Sequence, residues 1–264
     1  MAGEYQFAAD GDDLVPTEWA VGPWSNDTLQ GSAYGGLLVR ALERAAGPPE
    51  MALARLSFDL WRPVTRERIT PAVAVLREGR KARTVEASLL QGGRSVARCT
   101  GVFLKTDPAS APSSPVPPAA DAGPGAGRPV PPHVRAWSPF FTGVDTRVVE
   151  GDLLAPGPAA VWFNLERPLV AGEENAPLVH AVSAADLASG ISAVVDLRRW
   201  SFVNADLTLV LWRTPAVPWI RLAAETTAGP DGTGVAKGLL SDATGPFGWC
   251  AQTLIFERRT AATG

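Results

Sequence analysis

Three polar residues in the second half of the chain, Asp186, Asn204 and Gln252, are of the types needed to handle one water molecule. A carboxylate accepts a proton from water, and each carboxamide offers both a carbonyl acceptor and an N–H donor. Such a trio can orient and deprotonate water without a metal. They stand out because the chain reads nearly the same passage twice. Ser57-Phe-Asp-Leu-Trp61-Arg62-Pro63 returns as Leu209-Val-Leu-Trp212-Arg213-Thr-Pro215, and the run ending at Cys99 returns as the run ending at Cys250. The two landmarks give one shift, 212 − 61 = 151 and 250 − 99 = 151. A fixed shift marks two copies of one fold unit. Subtracting it sets Asp186, Asn204 and Gln252 against Gly35, Leu53 and Gly101, as expected of a duplicated protein that keeps one site and loses the other.

The elements that must position these residues follow the same order in each copy. In the first, Gly31-Ser-Ala-Tyr34-Gly-Gly opens a run with Leu37, Leu38, Ala41, Leu42 and Ala45 at helical spacing, closed by Gly47-Pro48-Pro49. Strand-like runs follow at 54–61, 72–77, 83–90 and 95–104. In the second copy Asn175 and Pro177 suit the cap and first turn of a helix through about Val195, with Asp186 in its middle. Runs at 204–212, 219–227, 235–242 and 248–257 then read as strands. One helix before an antiparallel meander, used twice, is an α+β pattern and lacks the strict alternation of a parallel sheet. Pro, Ala, Gly and Ser dominate the stretch between, as in a semi-rigid linker. The expected division is an N-terminal unit at 1–104, a linker at 105–136 and a C-terminal unit carrying the candidate site at 137–264.

Composition narrows the function. With 24 basic and 27 acidic side chains interspersed and a net charge of −3, nothing argues for nucleic acid or an anionic membrane as a partner. The acidic start, Met1 to Asp13, has no apolar run, which argues against a secretory signal, and no segment has the length and apolarity of a membrane span. A cytoplasmic protein is expected. Cys99 and Cys250 sit at repeat-equivalent places in apolar strands and read as buried hydrophobes, with no metal site implied. His133 lies in a proline-rich stretch, and His180 is the other imidazole.

The glycine-rich helix start, Phe58 to Pro63, Ala184-Ala-Asp186, Asn204-Ala-Asp206 and Gln252 together resemble the acyl-CoA thioesterase II (TesB-like) family. The resemblance implies a double hotdog: a long helix wrapped by an antiparallel sheet, twice in one chain. In that family an aspartate on the second helix, a hydroxyl residue two positions before a strand aspartate, and a glutamine on the last strand hold and activate the hydrolytic water. Asp186 and Gln252 match, and Asn204 stands where the hydroxyl is usual. The implied reaction is hydrolysis of an acyl-CoA to free acid and coenzyme A, with no cofactor and with a homodimer of such chains as a possible assembly.

Each of these residues also has a plainer reading. Asp186 could complete a capping box begun by Ser183, Gln252 could satisfy a neighbouring backbone group, and Asn204 could form a turn. Asp206 could pair with Arg213 or a backbone amide. The Gly31–Gly36 cluster, with Gly35 and Gly36 as candidate substrate-binding positions, could present N–H groups to a carbonyl or phosphate, or could simply let the helix pack closely. Arg77, Arg80, Lys81 and Arg83 could meet the phosphates of coenzyme A or form a solvated face. Trp61, Trp212 and Trp249 read as core or as lining for an acyl tunnel. A hydratase would want a catalytic histidine in a matching context, which neither His133 nor His180 has. A silent hotdog that binds acyl thioesters or scaffolds an assembly is the reading from another class.

Overall fold

The computed structural model describes residues 4–109, 111, 112, 114, 122–197 and 199–259. The proline-rich run 115–118, assigned above to the linker, lies outside them. The first half comprises a small ribbon of β1 (Phe7–Asp10) and β2 (Asp13–Pro16), helix α1 (Gly31–Arg44), and strands β3 (Met51–Leu60), β4 (Thr70–Arg77), β5 (Ala82–Gln91) and β6 (Arg94–Lys105). The second half opens with β7 (Arg128–Pro129), the helical turns α2 (Pro132–Arg135) and α3 (Pro139–Thr142), β8 (Val144–Glu150) and β9 (Ala159–Leu165). Helices α4 (Pro177–Ala185) and α5 (Ala188–Ile191) follow, then β10 (Trp200–Asn204), β11 (Asp206–Leu211), β12 (Trp219–Ala228), β13 (Thr233–Asp242) and β14 (Gly245–Arg258).

Apart from the ribbon, the strands form one antiparallel sheet in the order β4-β5-β6-β3-β11-β14-β13-β12-β9-β8-β7, with β10 also on β14. The repeat extends to its irregularities. The β5–β6 register slips between Leu89 and Leu90, and β13–β14 slips between Leu240 and Ser241, one shift of 151 later. Ala54 bulges from β3, and its mate Ala205 separates β10 from β11. Gln91 holds the Thr65 backbone N–H at 3.0 Å, and its mate Asp242 holds that of Ala216 at 2.7 Å. Bulges bend a strand at a chosen place, so the two halves curve alike.

The halves meet about a pseudo-twofold axis that the pairings locate. In the β3–β11 seam Ser57 stands opposite its own repeat mate Thr208, flanked by Leu56↔Leu209 and Phe58↔Leu207. Behind the sheet, α1 and α4 cross where Ser32 meets its mate Ser183, each hydroxyl donating to the other's backbone carbonyl at 3.0 and 3.4 Å. The core fills the space between: Leu37, Leu38 and Leu42 of α1, Val179 and Val182 of α4, and Leu56, Phe58, Phe103, Leu209, Leu222 and Leu254 of the sheet are all buried. Each such side chain contributes roughly 1.5–3 kcal/mol.

Several expectations need correction. The helix expected through Val195 is broken after Ala185, resumes at Ala188 and ends at Ile191. Trp61, Trp212 and Trp249 lie on the solvent side of the sheet, each about half exposed, because their strands alternate about a single buried face. Part of the expected linker is ordered: β7 pairs with β8, and Trp162 Nε1 donates to the Ala122 carbonyl at 3.0 Å. Cys99 and Cys250, by contrast, are buried free thiols as expected.

Candidate active site

Asp186 occupies the C-cap of α4, not its middle, and its carboxylate faces the N-terminus of α1 instead of the sheet. The break that puts it there has an identifiable cause. Gln252, fully buried on β14, donates through Nε2 to the Asp186 carbonyl at 3.0 Å and accepts through Oε1 from the Ser189 N–H at 3.0 Å. These backbone groups would each find a partner inside an unbroken helix. Gln252 takes over that pairing and so splints the break. In the first copy the same strand position is Gly101, and α1 runs unbroken through Gly35.

The carboxylate is only 7% exposed. Oδ2 accepts from Gln30 Nε2 and from Ser32 Oγ, both at 2.9 Å, while no side-chain donor among the described residues reaches Oδ1. Gly31 is pressed against it: a Cβ there would lie 2.5 Å from Oδ1. The repeat mate of this contact is Gly35 against Val182, where a Cβ would lie 3.1 Å from a Val182 methyl. Glycine meets carboxylate on one side of the axis and isopropyl on the other.

Burial pushes the Asp186 carboxyl above the usual aspartate range, against the opposing pull of the Ser32 hydroxyl, the Gln30 amide and the Ser32 backbone N–H. Tyr34, one helical turn into α1, is itself pushed up by burial and then by the Asp186 charge. A carboxylate poised above its ordinary pKa, with one oxygen clamped and the other free of side-chain donors, is suited to take a proton.

Asn204 joins this group through one contact: its Oδ1 accepts from Ser189 Oγ at 3.0 Å. Asp186, Gln252 and Asn204 thus belong to one hydrogen-bonded chain through Ser189. Gln252 reaches the backbone of Asp186, and neither amide contacts the carboxylate. The capping-box reading fails, because Ser183 lies within α4 and its hydroxyl turns to Ser32. Asp206 accepts from the Thr253 backbone amide, and Arg213 pairs with Asp242. Gly35 and Gly36 sit past the first turn of α1, against Val182 and against Leu169 and Val179, so their surroundings carry the close-packing reading. Arg83 pairs with Glu78, and Arg77, Arg80 and Lys81 are exposed about the β4–β5 hairpin. Among the described residues no group of three His, Cys, Asp or Glu is placed to hold a metal ion, and no helix is long and apolar enough to cross a membrane.

At the pseudo-twofold mate of the site the space is apolar. A Cβ on Gly101 would meet Leu53 and Leu42 at 3.0 and 3.1 Å and Phe103 at 3.4 Å. Gln30 and Ser32, absent from the sequence expectations as site residues, are the ones whose side chains hydrogen-bond the carboxylate. The same subtraction finds the first of them, since Gln30 stands opposite Ala181.

Comparison with known proteins supplies the family. Residues 20–104 match the acyl-CoA thioesterase N-terminal domain and residues 110–256 the acyl-CoA thioesterase C-terminal domain. No curated protein matches the chain. Among solved structures it is similar to a protein of Thermobifida fusca YX assigned as a thioesterase II, at 18% identity and TM-score 0.72, covering 97% of this chain and 96% of that one. A conserved protein of unknown function with a hot dog fold from Alicyclobacillus acidocaldarius gives 15% identity and TM-score 0.73, with 96% of each chain covered. The acyl-CoA thioesterase II TesB2 of Mycobacterium marinum gives 17% and 0.65, over 88% of this chain and 92% of that one. Identities this low establish the fold, a hot dog fold with a large antiparallel sheet and few helices. The two domain matches establish more: the chain belongs to the acyl-CoA thioesterase family and is a thioester hydrolase.

Proposed function

We propose that the protein hydrolyses an acyl-CoA to free acid and coenzyme A at a single site, with Asp186 as general base. The observation that carries this is the Asp186 carboxylate itself, buried, clamped at Oδ2 by Gln30 and Ser32 and free of side-chain donors at Oδ1. In this reading water donates a proton to Oδ1 as its oxygen attacks the thioester carbonyl. The tetrahedral intermediate then collapses, the C–S bond breaks and the coenzyme A thiolate leaves. The Ser32 N–H is engaged with the Asp186 carboxyl and the Ala33 and Tyr34 N–H groups with the Gln30 carbonyl, so what α1 offers the negative oxygen is the positive end of its dipole. Gln252 and Asn204 act through Ser189 and the helix break, positioning the base instead of gripping the water directly. This refines the three-residue water clamp expected from the sequence.

The finer architecture is read as a double hotdog, with α1 and the broken α4–α5 as its two central helices and units at 1–104 and 137–264 joined through 105–136. The test is release of free thiol from acetyl-, hexanoyl-, decanoyl- and palmitoyl-CoA by the parent chain and by Asp186→Asn. Turnover by the parent that falls by roughly 10²-fold or more in the variant supports the reading. No turnover of any chain length by the parent would return the protein to a silent thioester binder.

A further inference from the structure

Gln30 departs from the repeat in the same way as Asp186. At the crossing of α1 and α4 the serines Ser32 and Ser183 are retained in both copies, as a contact on the axis requires. Gln30 has no such excuse. Its repeat mate is Ala181, and the pseudo-symmetric counterpart of its contact with Asp186 would be Ala181 against Gly35. A large amide has been placed on one side only, the side that has the carboxylate.

Nor is it there for the helix. Gln30 is the N-cap residue of α1, yet its side chain makes no capping bond to that helix. Nε2 is spent on Asp186 Oδ2, and Oε1 is buried with no hydrogen-bond partner. Burying an amide oxygen unpaired costs free energy. An apolar residue would avoid that cost, so the amide is retained for its one bond. Ser32 Oγ divides itself between Oδ2 and the Ser183 carbonyl, which leaves Gln30 as the side-chain donor devoted to the carboxylate.

We propose that Gln30, supplied by the first copy, is a positioning residue for Asp186: its N–H anchors Oδ2 so that Oδ1 is the oxygen presented to the attacking water. The inference rests on Asp186 being the base. A donor that favours the ionised carboxylate lowers its pKa, so the anchor also offsets part of the effect of burial. The groups facing the carboxylate are few. Burial, the Ser32 hydroxyl and N–H and the Gln30 amide act on it, and Tyr34 of α1 is the titratable neighbour coupled to it.

The test follows kcat and KM against pH for the parent chain, Gln30→Leu and Gln30→Met, using the fastest substrate of the acyl-CoA panel. The acid limb of kcat/KM should move to higher pH by about one unit in both variants, the scale of one hydrogen bond lost from an ionised group, with kcat falling more than KM rises. Gln30→Glu, which sets a second carboxyl against Oδ2, should move the limb further in the same direction. The carboxyl carbon of Asp186, assigned by its loss in Asp186→Asn and titrated by carbon-13 NMR, gives the same shift without reference to turnover. An acid limb and a carboxyl titration both unmoved in Gln30→Leu and Gln30→Met would overturn the proposal. Full thiol release by Asp186→Asn would instead overturn the assignment of the base.

Discussion

Gly31→Ala tests the site by its tightest contact. The added methyl would lie 2.5 Å from Asp186 Oδ1, 2.7 Å from Oδ2 and 2.8 Å from Cγ, against an ordinary contact of 3.4 Å or more, so the carboxylate must retreat by about 0.9 Å. The bonds from Gln30 and Ser32, now 2.9 Å, would open to roughly 3.8 Å if the shift runs along them, beyond hydrogen-bonding range. Each bond to a charged group contributes about 1.5–3 kcal/mol, and alanine returns up to about 1 kcal/mol of helix propensity. The expected net loss of stability is about 2–5 kcal/mol, and misplacing the proposed base by close to 1 Å should lower kcat/KM by roughly 10²-fold. Gly35→Ala is the built-in control: its methyl would meet Val182 at 3.1 Å, a shortfall of about 0.3 Å against an apolar neighbour. That change should cost about 1 kcal/mol and alter kcat/KM by less than about 3-fold. The assay is thiol release together with the thermal unfolding midpoint. A Gly31→Ala protein with the parent's kcat/KM and midpoint would show that the carboxylate is not held where this reasoning needs it.

Three further outcomes follow from the same contacts. Gln252→Ala leaves the Asp186 carbonyl and the Ser189 N–H without their buried partner, at about 1–3 kcal/mol each, so thermal unfolding should show a clear loss of stability alongside a loss of turnover. Asp186→Asn should behave oppositely in stability: the folded-state pKa is raised, so ionised Asp186 costs stability above it, and the variant's unfolding midpoint should equal or exceed the parent's at about pH 8, the gap closing as pH falls through the raised pKa. Calorimetric titration with a non-hydrolysable acyl-CoA analogue should give one site per chain, because Leu42, Leu53 and Phe103 fill the mate of the site; two equivalent sites would refute the asymmetry.

What the sequence showed, and where it fell short, follows from how far each determinant lies along the chain. Strands β4, β5, β6, β12 and β13 announce themselves through local alternation and turn glycines, and the shift of 151 transfers the reading from one copy to the other. The break at Asp186 is not local: nothing between Pro177 and Ile191 forbids a continuous helix, and the break is held by Gln252, 66 residues downstream. Likewise the direction of the carboxylate is set by Gln30, 156 residues upstream. Strand alternation places Trp61, Trp212 and Trp249 on one face, but which face is covered by helices depends on the crossing of α1 and α4. Subtracting the repeat does better than periodicity here, since Gln30 against Ala181 is as visible as Asp186 against Gly35.

The paired contacts about the axis give a reason for the proposed single site to suit a fused chain. In a symmetric dimer of identical units both crossings would be the same, so the residue at the first helical position and the one four residues later would have to satisfy a single contact twice. Joining the units lifts that restriction. Gly31 yields its volume to Asp186 on one side, and on the other Val182 takes up the volume that Gly35 gives back. Close packing is preserved at both crossings, yet one holds a buried carboxylate whose helix is broken and splinted while the other keeps an unbroken helix over an apolar plug. The free energy lost in burying a carboxylate and an unpaired amide oxygen is then incurred once per chain, and the intact first copy supplies the rigid N-terminus against which the carboxylate is aimed.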